Sequence, residues 1–172
     1  MNLIMTQEPQ PRTLRDALGR FVTGVTIVTT LDSDGAPVGL TANSFTSVSL
    51  DPPLILWSLS KRSGNLAAFS TAGRFAVNIL SQDQNELSAR FASPSEDRFT
   101  GTGWCQGMGG LPLLPGCLAH LECVTTREQE AGDHVIFIGR VECFAYRDGP
   151  PLAFFSSRYA ALADQGCLRS AA

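Results

Sequence analysis

Short runs of β-branched residues, separated by links of hairpin length, constrain this fold more than any other feature. Residues 25–30 (VTIVTT) form one such run, of a composition that favours strands. Asp32-Ser33-Asp34-Gly35 follows as a hairpin turn, because Gly35 and the acidic residues tolerate unusual backbone angles. The chain returns over 38–50 as one strand or a pair. Pro52 and Pro53 end it, since consecutive prolines cannot donate ladder hydrogen bonds. Residues 54–59 are nearly all apolar and predict a strand buried on both faces. Further strands are expected over 75–80, 117–126, 134–146 and 152–155, with a turn at Arg147-Asp148-Gly149-Pro150.

Three short helices interrupt these runs. Thr13 caps the first, which places Leu14, Ala17 and Leu18 on one face through Phe21. Ser63 opens the second, which Gly73 stops, and the third covers 84–91. Residues 94–115, rich in Gly and Pro, read as a long functional or interfacial loop. Antiparallel strands accept short links, whereas parallel strands need long crossovers. The pattern therefore favours a closed antiparallel barrel over a doubly wound sheet. Neither G-x-G-x-x-G after a strand nor a P-loop pattern is present.

A chain of 172 residues, 44% hydrophobic and 17% charged, is enough for one packed domain. We place that domain at 13–162, between a tail at 1–12 and a tail at 163–172. A net charge of −3 without a Lys/Arg cluster gives no footprint for nucleic acid. No apolar run is long enough to span a membrane, and the polar opening lacks the pattern of a secretory signal, so a cytoplasmic protein is expected. Five cysteines without C-x-x-C spacing and only two histidines argue against a metal site. Cys117 and Cys123 read as small core hydrophobes.

Four segments carry candidate chemistry. If 39–53 is extended, Thr41, Asn43, Phe45, Ser47 and Ser49 share one face, suited either to a polar heterocycle or simply to solvent. Ser60, Lys61, Arg62, Ser63 and Asn65 stand where a strand meets a helix N-terminus, which makes either a phosphate seat or an ordinary capped helix. Arg98, in Asp97-Arg98-Phe99, is a cation for a phosphate or a neighbouring carboxylate. His134 begins an apolar strand after Gly132-Asp133, as a ligand-facing or a structural residue.

The runs RFVTGVTIVTT and GLTANSFTSVSLDPPL, then RFAVNIL, AGDH and a closing RY, resemble the flavin reductase-like, FMN-binding split-barrel family over residues 15–159. The resemblance implies a mainly β fold, a six-stranded antiparallel split β-barrel of Greek-key type with a few short helices. It also implies a homodimer with flavin near the subunit interface. The implied activity is hydride transfer from NADH or NADPH to FMN, with FAD also possible, and delivery of reduced flavin to a monooxygenase. At matching positions it implies flavin contacts at Thr41, Ala42, Asn43 and Ser44, continuing through Ser47, Val48 and Ser49. It implies a phosphate seat at Ser60, Lys61, Ser63 and Asn65, where Asn65 replaces the family's usual Thr, with Arg98 on a flavin phosphate. His134 is the implied catalytic residue, beside the nicotinamide, with Arg158 and Tyr159 as cation and aromatic platform. Ser157 stands where the family often has Gly. Two other readings share the barrel: a tight FMN-binding electron carrier, and a relative of the pyridoxamine-phosphate oxidases. The AGDH segment favours the reductase.

Overall fold

The computed structural model describes residues 10–95 and 97–162. Residues 1–9 of the proposed N-terminal tail and the proposed tail at 163–172, with Cys167, lie outside the described residues.

Helix α1 (Pro11–Leu18) starts two residues before Thr13, with Gln10 at the cap position and Pro11 in the first turn. Proline's fixed φ is pre-organised for that position, and its missing N–H loses nothing there. Residues 11–12 therefore belong to a helix rather than a tail. Strand β1 (Thr23–Gly24) leads into β2 (Thr26–Leu31), whose hairpin to β3 (Pro37–Ala42) forms as expected. Asp32 Oδ1 accepts from the backbone N–H groups of Asp34 (2.9 Å) and Ala36 (2.8 Å), and Gly35 takes φ 79°.

The run over 38–50 is two strands, β3 and β4 (Thr46–Leu50), broken at 43–45. Strand β5 (Pro53–Ser60) buries Ile55, Trp57 and Leu59 while Leu54, Leu56 and Ser58 stay half-exposed. It is therefore buried on one face and not on both, which an antiparallel sheet permits. Helix α2 (Leu66–Ala72) begins three residues after Ser63, because 63–65 is occupied by a turn in which Leu66 N–H bonds the Ser63 carbonyl (3.1 Å). Gly73, at φ 65°, ends it. Then follow β6 (Arg74–Ile79), α3 (Asn85–Ala92), the small pair β7 (Cys105–Gln106) and β8 (Pro112–Leu113), β9 (Ala119–Ala131), β10 (His134–Tyr146), β11 (Ala153–Phe155) and β12 (Arg158–Ala160).

Seven strands form one antiparallel sheet in the order β3-β2-β6-β9-β10-β5-β4, and β1, β11 and β12 form a smaller one. That is one strand more than the six expected, because 38–50 divides into two. The division also closes the sheet. Strands β3 and β4 stand at its two ends, yet only residues 43–45 link them. Such a link reaches at most roughly 14 Å. Seven flat strands would set the ends about 29 Å apart. The sheet must curl until its edges nearly meet, which is an antiparallel barrel split along the β3–β4 seam.

Inside the curl, Trp57 stacks on Phe137 (4.9 Å between centroids) and meets Phe69 and Phe75 edge-on. All four are buried. A second cluster joins Val25, Ile27, Leu80, Phe91, Leu114 and Leu152. Phe99 and Trp104 pack against it, so the aromatics of the long loop find cover within their own chain. Buried Asn78 ties that loop down, accepting from Leu114 N–H (2.8 Å) and donating to the Ile27 carbonyl (3.0 Å). Cys117 and Cys123 are buried, and burial pushes their thiols up to about 11 and about 12.

Candidate functional site

A cavity of about 380 Å³ opens at the β3–β4 seam. Its walls come from the end of β3 and the following turn, from the β5–α2 turn, from the end of α3, and from the first residue of β10. It is created by the same break at 43–45 that splits the barrel.

Thr41, Ala42, Asn43 and Ser44 line it together, as expected. Their hydrogen bonds differ. Thr41 Oγ1 donates to the Ser88 carbonyl of α3 (2.7 Å), so toward the cavity the hydroxyl retains only acceptor capacity. The carbonyl of buried Ala42 accepts from Thr26 Oγ1 (2.7 Å). Ser44 Oγ donates to the Ser58 carbonyl (3.1 Å) and accepts from Ser58 N–H (3.0 Å). Ser44 thereby extends the β4–β5 ladder with a side chain where the backbone has turned away. Asn43 is exposed and makes no side-chain bond among the described residues.

The turn after β5 adds Ser60, Ser63 and Asn65. Ser60 Oγ accepts from Arg62 N–H (3.3 Å) and Ser63 Oγ from Asn65 N–H (3.3 Å), which fixes the turn. Lys61 belongs to this turn but does not line the cavity; its Nζ pairs with Glu130 Oε2 at 2.7 Å. That pair holds the Glu130 carboxyl below its usual range.

His134 lines the same cavity and stands opposite Ser60 in the β10–β5 register. Its Nδ1 lies 2.8 Å from Asp133 Oδ1, which leaves Nε2 without a partner among the described residues. The hydrogen bond and the charge of His134 together lower the Asp133 pKa. The carboxylate fixes the ring orientation, as carboxylates commonly do for functional histidines.

Arg98 also lines the cavity. Its Nη1 donates to the Gly39 carbonyl (2.7 Å), and Nε and Nη2 donate to the Ser93 carbonyl (3.2 and 2.7 Å). The guanidinium straps the long loop onto β3, and partial burial lowers its pKa.

Besides Lys61, five expected residues are not at the cavity. Ser47, Val48 and Ser49 lie along β4, an edge strand, where a bulge between Ser47 and Ser49 disrupts the alternation. One continuous extended face therefore does not exist. Arg158 and Tyr159 sit on β12 of the smaller sheet. Tyr159 reaches toward the site only through α3, its hydroxyl donating to Ser88 Oγ at 2.8 Å. Ser157 adopts φ 62° at the tip of the β11–β12 hairpin, a conformation that favours glycine, and it does not line the cavity. Conversely, Leu40, Ser58, Leu59, Phe91 and Ala92 line the cavity and were not expected there. Only Ser58 offered a signal, as the single polar residue in the apolar run 54–59.

A concave, polar-lined cavity at the seam of a split antiparallel barrel is the candidate small-molecule site. The chain belongs to the flavin reductase like domain family, whose model matches residues 18–163. It is 50% identical over 143 residues to the FMN reductase (NADH) SmoA of Agrobacterium fabrum, covering 83% of this chain and 81% of that relative. It is 47% identical over 148 residues to the reductase component of the flavin-dependent trigonelline monooxygenase of Acinetobacter baylyi, covering 86% of this chain and 48% of the relative. The chain spans about half the length of two of the curated relatives it matches, at 43% and 48%. Among solved structures it superposes on the NADH:FAD oxidoreductase SgcE6 of Streptomyces globisporus, in complex with NAD and FAD fragments. The TM-score there is 0.87 at 39% identity, covering 95% of this chain and 100% of that one. No helix among the described residues is long and apolar enough to cross a membrane.

Proposed function

We propose that this protein is an NADH-dependent flavin reductase that supplies reduced FMN or FAD to a separate monooxygenase. The observation that carries the reading is the convergence of the Thr41–Ser44 turn, the Ser60–Asn65 turn and His134 on one cavity. A volume of about 380 Å³ suits a ring system of flavin size, within the ordinary range for small-molecule sites.

A bound flavin supplies the acceptor for the hydride of a reduced nicotinamide. The chain supplies orientation. The acceptor face of Thr41, the free amide of Asn43 and the backbone beside them hold the ring edge. Ser60, Ser63 and Asn65 present hydroxyls and an amide to the phosphate. His134, with its ring fixed by Asp133, positions the nicotinamide at the cavity mouth through Nε2. Stacked rings with reacting atoms roughly 3–3.5 Å apart are what such a transfer requires.

We also place the protein in the cytoplasm as a homodimer. Phe144 is 66% exposed, Tyr146 78% and Leu50 93%, an apolar surface that a second copy would cover. Light scattering tests this: a monomer at micromolar concentration with full activity refutes it.

The functional test is steady-state oxidation of NADH and NADPH with FMN, FAD and riboflavin in turn. NADH oxidation that depends on added flavin is expected, with riboflavin the weakest acceptor by about tenfold in KM for want of a phosphate contact. A yellow protein that holds flavin yet oxidises neither nicotinamide would refute the reductase reading.

A further inference from the structure

The turn at 60–65 presents no cation to the cavity, since neither Lys61 nor Arg62 lines it. Its N–H groups are already used by the turn. Lys61 N–H donates to the Asp133 carbonyl (2.9 Å) and Ser63 N–H to the Ser60 carbonyl (2.9 Å). Those of Arg62 and Asn65 donate to serine hydroxyls. What remains toward the cavity is neutral: the side chains of Ser60, Ser63 and Asn65. The only lysine of the chain, Lys61, stands inside this turn, yet its ammonium is paired with Glu130 Oε2 (2.7 Å) on the β9–β10 hairpin. We propose that Glu130 sets how tightly a flavin phosphate is held, by competing with it for Lys61. The ammonium leaves Glu130 when a phosphorylated flavin binds and returns when the flavin departs. The proposal rests on the reading of the cavity as the flavin site.

The exchange needs no movement of backbone. Lys61 Cα is about 3.8 Å from that of Ser60, which lines the cavity. The ammonium sits on a flexible methylene stem, so rotation about side-chain bonds carries it from one anion to the other. The bonds to Asp133 and within the turn hold the base of that stem fixed. The pair to be broken is weak, because Lys61 and Glu130 are both exposed. A phosphate offers the same ammonium a stronger, charge-assisted bond. Glu130 competes throughout, since Lys61 holds its carboxyl below the usual range and therefore ionised. Asp133, the next carboxylate along the hairpin, is engaged by His134 at 2.8 Å. A protein that hands its flavin on needs release as much as binding. Differences in affinity appear mostly in the dissociation rate. A carboxylate waiting for Lys61 thus shortens the stay of FMN or FAD without touching the ring.

The test titrates FMN and riboflavin by fluorescence quenching on the wild-type protein, Glu130→Gln, Lys61→Met and the double variant. Both positions are exposed, and thermal unfolding confirms that each variant folds. Glutamine keeps the shape of Glu130 and removes its charge. Glu130→Gln should bind FMN about two- to fivefold tighter, which is the strength of an exposed ion pair expressed as a ratio, and riboflavin as before. Lys61→Met should weaken FMN about tenfold and cancel the effect of Glu130→Gln in the double variant. The single lysine gives a second readout. In protein carrying isotopically labelled lysine, the resonance of the methylene beside the ammonium should shift with FMN and stay with riboflavin. Unchanged FMN affinity in Glu130→Gln, equal tightening of riboflavin, additive behaviour in the double variant or a lysine resonance indifferent to FMN would each overturn the proposal. If neither flavin binds any variant, the flavin reading of the cavity falls and takes the proposal with it. If both flavins bind wild type and Glu130→Gln alike, only the role of Glu130 falls.

Discussion

Gly139 tests whether the aromatic core has any slack. It sits in β10 at a register shift against β9, directly beneath Phe75. A Cβ built there would lie 2.5 Å from Phe75 Cζ and 3.0 Å from Cys123 Cβ, where ordinary contact begins near 3.4 Å. Relief requires the Phe75 ring to retreat by about an ångström, toward Trp57 at 5.7 Å between centroids. Trp57 cannot follow, because it is fully buried and already stacked on Phe137. Forcing one extra carbon into such a core costs about 1–3 kcal/mol. The chain-entropy advantage of Ala over Gly in the unfolded state returns about 0.4–1 kcal/mol. The expected net loss for Gly139→Ala is about 1–2 kcal/mol, or about 2–8 °C in Tm for a domain of this size. Urea unfolding of Gly139→Ala, Phe75→Leu and the double variant measures it. Removing the ring should relieve the clash, so the double variant should be more stable than the sum of the singles by about 1 kcal/mol. Gly139→Ala within 0.5 kcal/mol of wild type, or strictly additive behaviour, would refute the reasoning.

Three further outcomes follow from local chemistry. Ser157→Gly should raise Tm by about 2–4 °C, since φ 62° costs a non-glycine residue about 1–2 kcal/mol, partly offset by the greater freedom of glycine when unfolded; an unchanged or lower Tm in a thermal scan contradicts this. Thiol labelling at pH 8 followed by peptide mapping should modify exposed Cys105 and Cys143 and spare Cys117 and Cys123, whose thiols burial has raised to about 11 and about 12; rapid modification of either buried thiol in the folded protein refutes that packing. His134 lowers the Asp133 pKa, so the stabilisation from this pair is full above the unfolded aspartate value near 3.9 and is lost as pH falls through the lower folded value. The Tm difference between wild type and Asp133→Asn should therefore shrink below about pH 4, and a difference constant from pH 6 to pH 2 excludes the pair as its source.

What could be read from the sequence was what local chemistry decides. The Asp32–Gly35 hairpin is legible because Asp32 makes its own turn hydrogen bonds within four residues. The break at 43–45 is not, because its polar alternation runs on unbroken and its cause is remote: Ser44 bonds the backbone of Ser58. Strand β9 extends to Ala131 although residues 127–130 are charged or polar. They pair with β10 across a hairpin whose outer half is solvated, so no apolar period marks them. Strand β12 escaped notice because Ser156 and Ser157 turn the chain with positive φ in the absence of glycine. At the site, the motif residues located two of the walls and His134. Phe91 was missed because in sequence it is one more apolar residue on a helix face, and only the packing of α3 on β3 brings it to the cavity.

The hydrogen bonds also sort the site residues by what each has left to offer a ligand. Ser44, Ser60, Ser63 and Arg98 all hold backbone in place, and Thr41 has given its proton to α3. Each of these builds the cavity before any ligand arrives. Among the described residues the unengaged groups are the hydroxyl protons of Ser60 and Ser63, the amides of Asn43 and Asn65, Nε2 of His134 and two N–H groups of Arg98. Binding energy in a pre-formed site comes chiefly from such groups, because nothing must be broken to use them. Substituting the building residues should therefore damage shape and stability together, whereas substituting Asn43, Asn65 or His134 should alter recognition in a barrel that still closes. That difference follows from the seam itself. Where the sheet splits, side chains must replace missing backbone pairing, and the cavity they frame is the by-product of that repair.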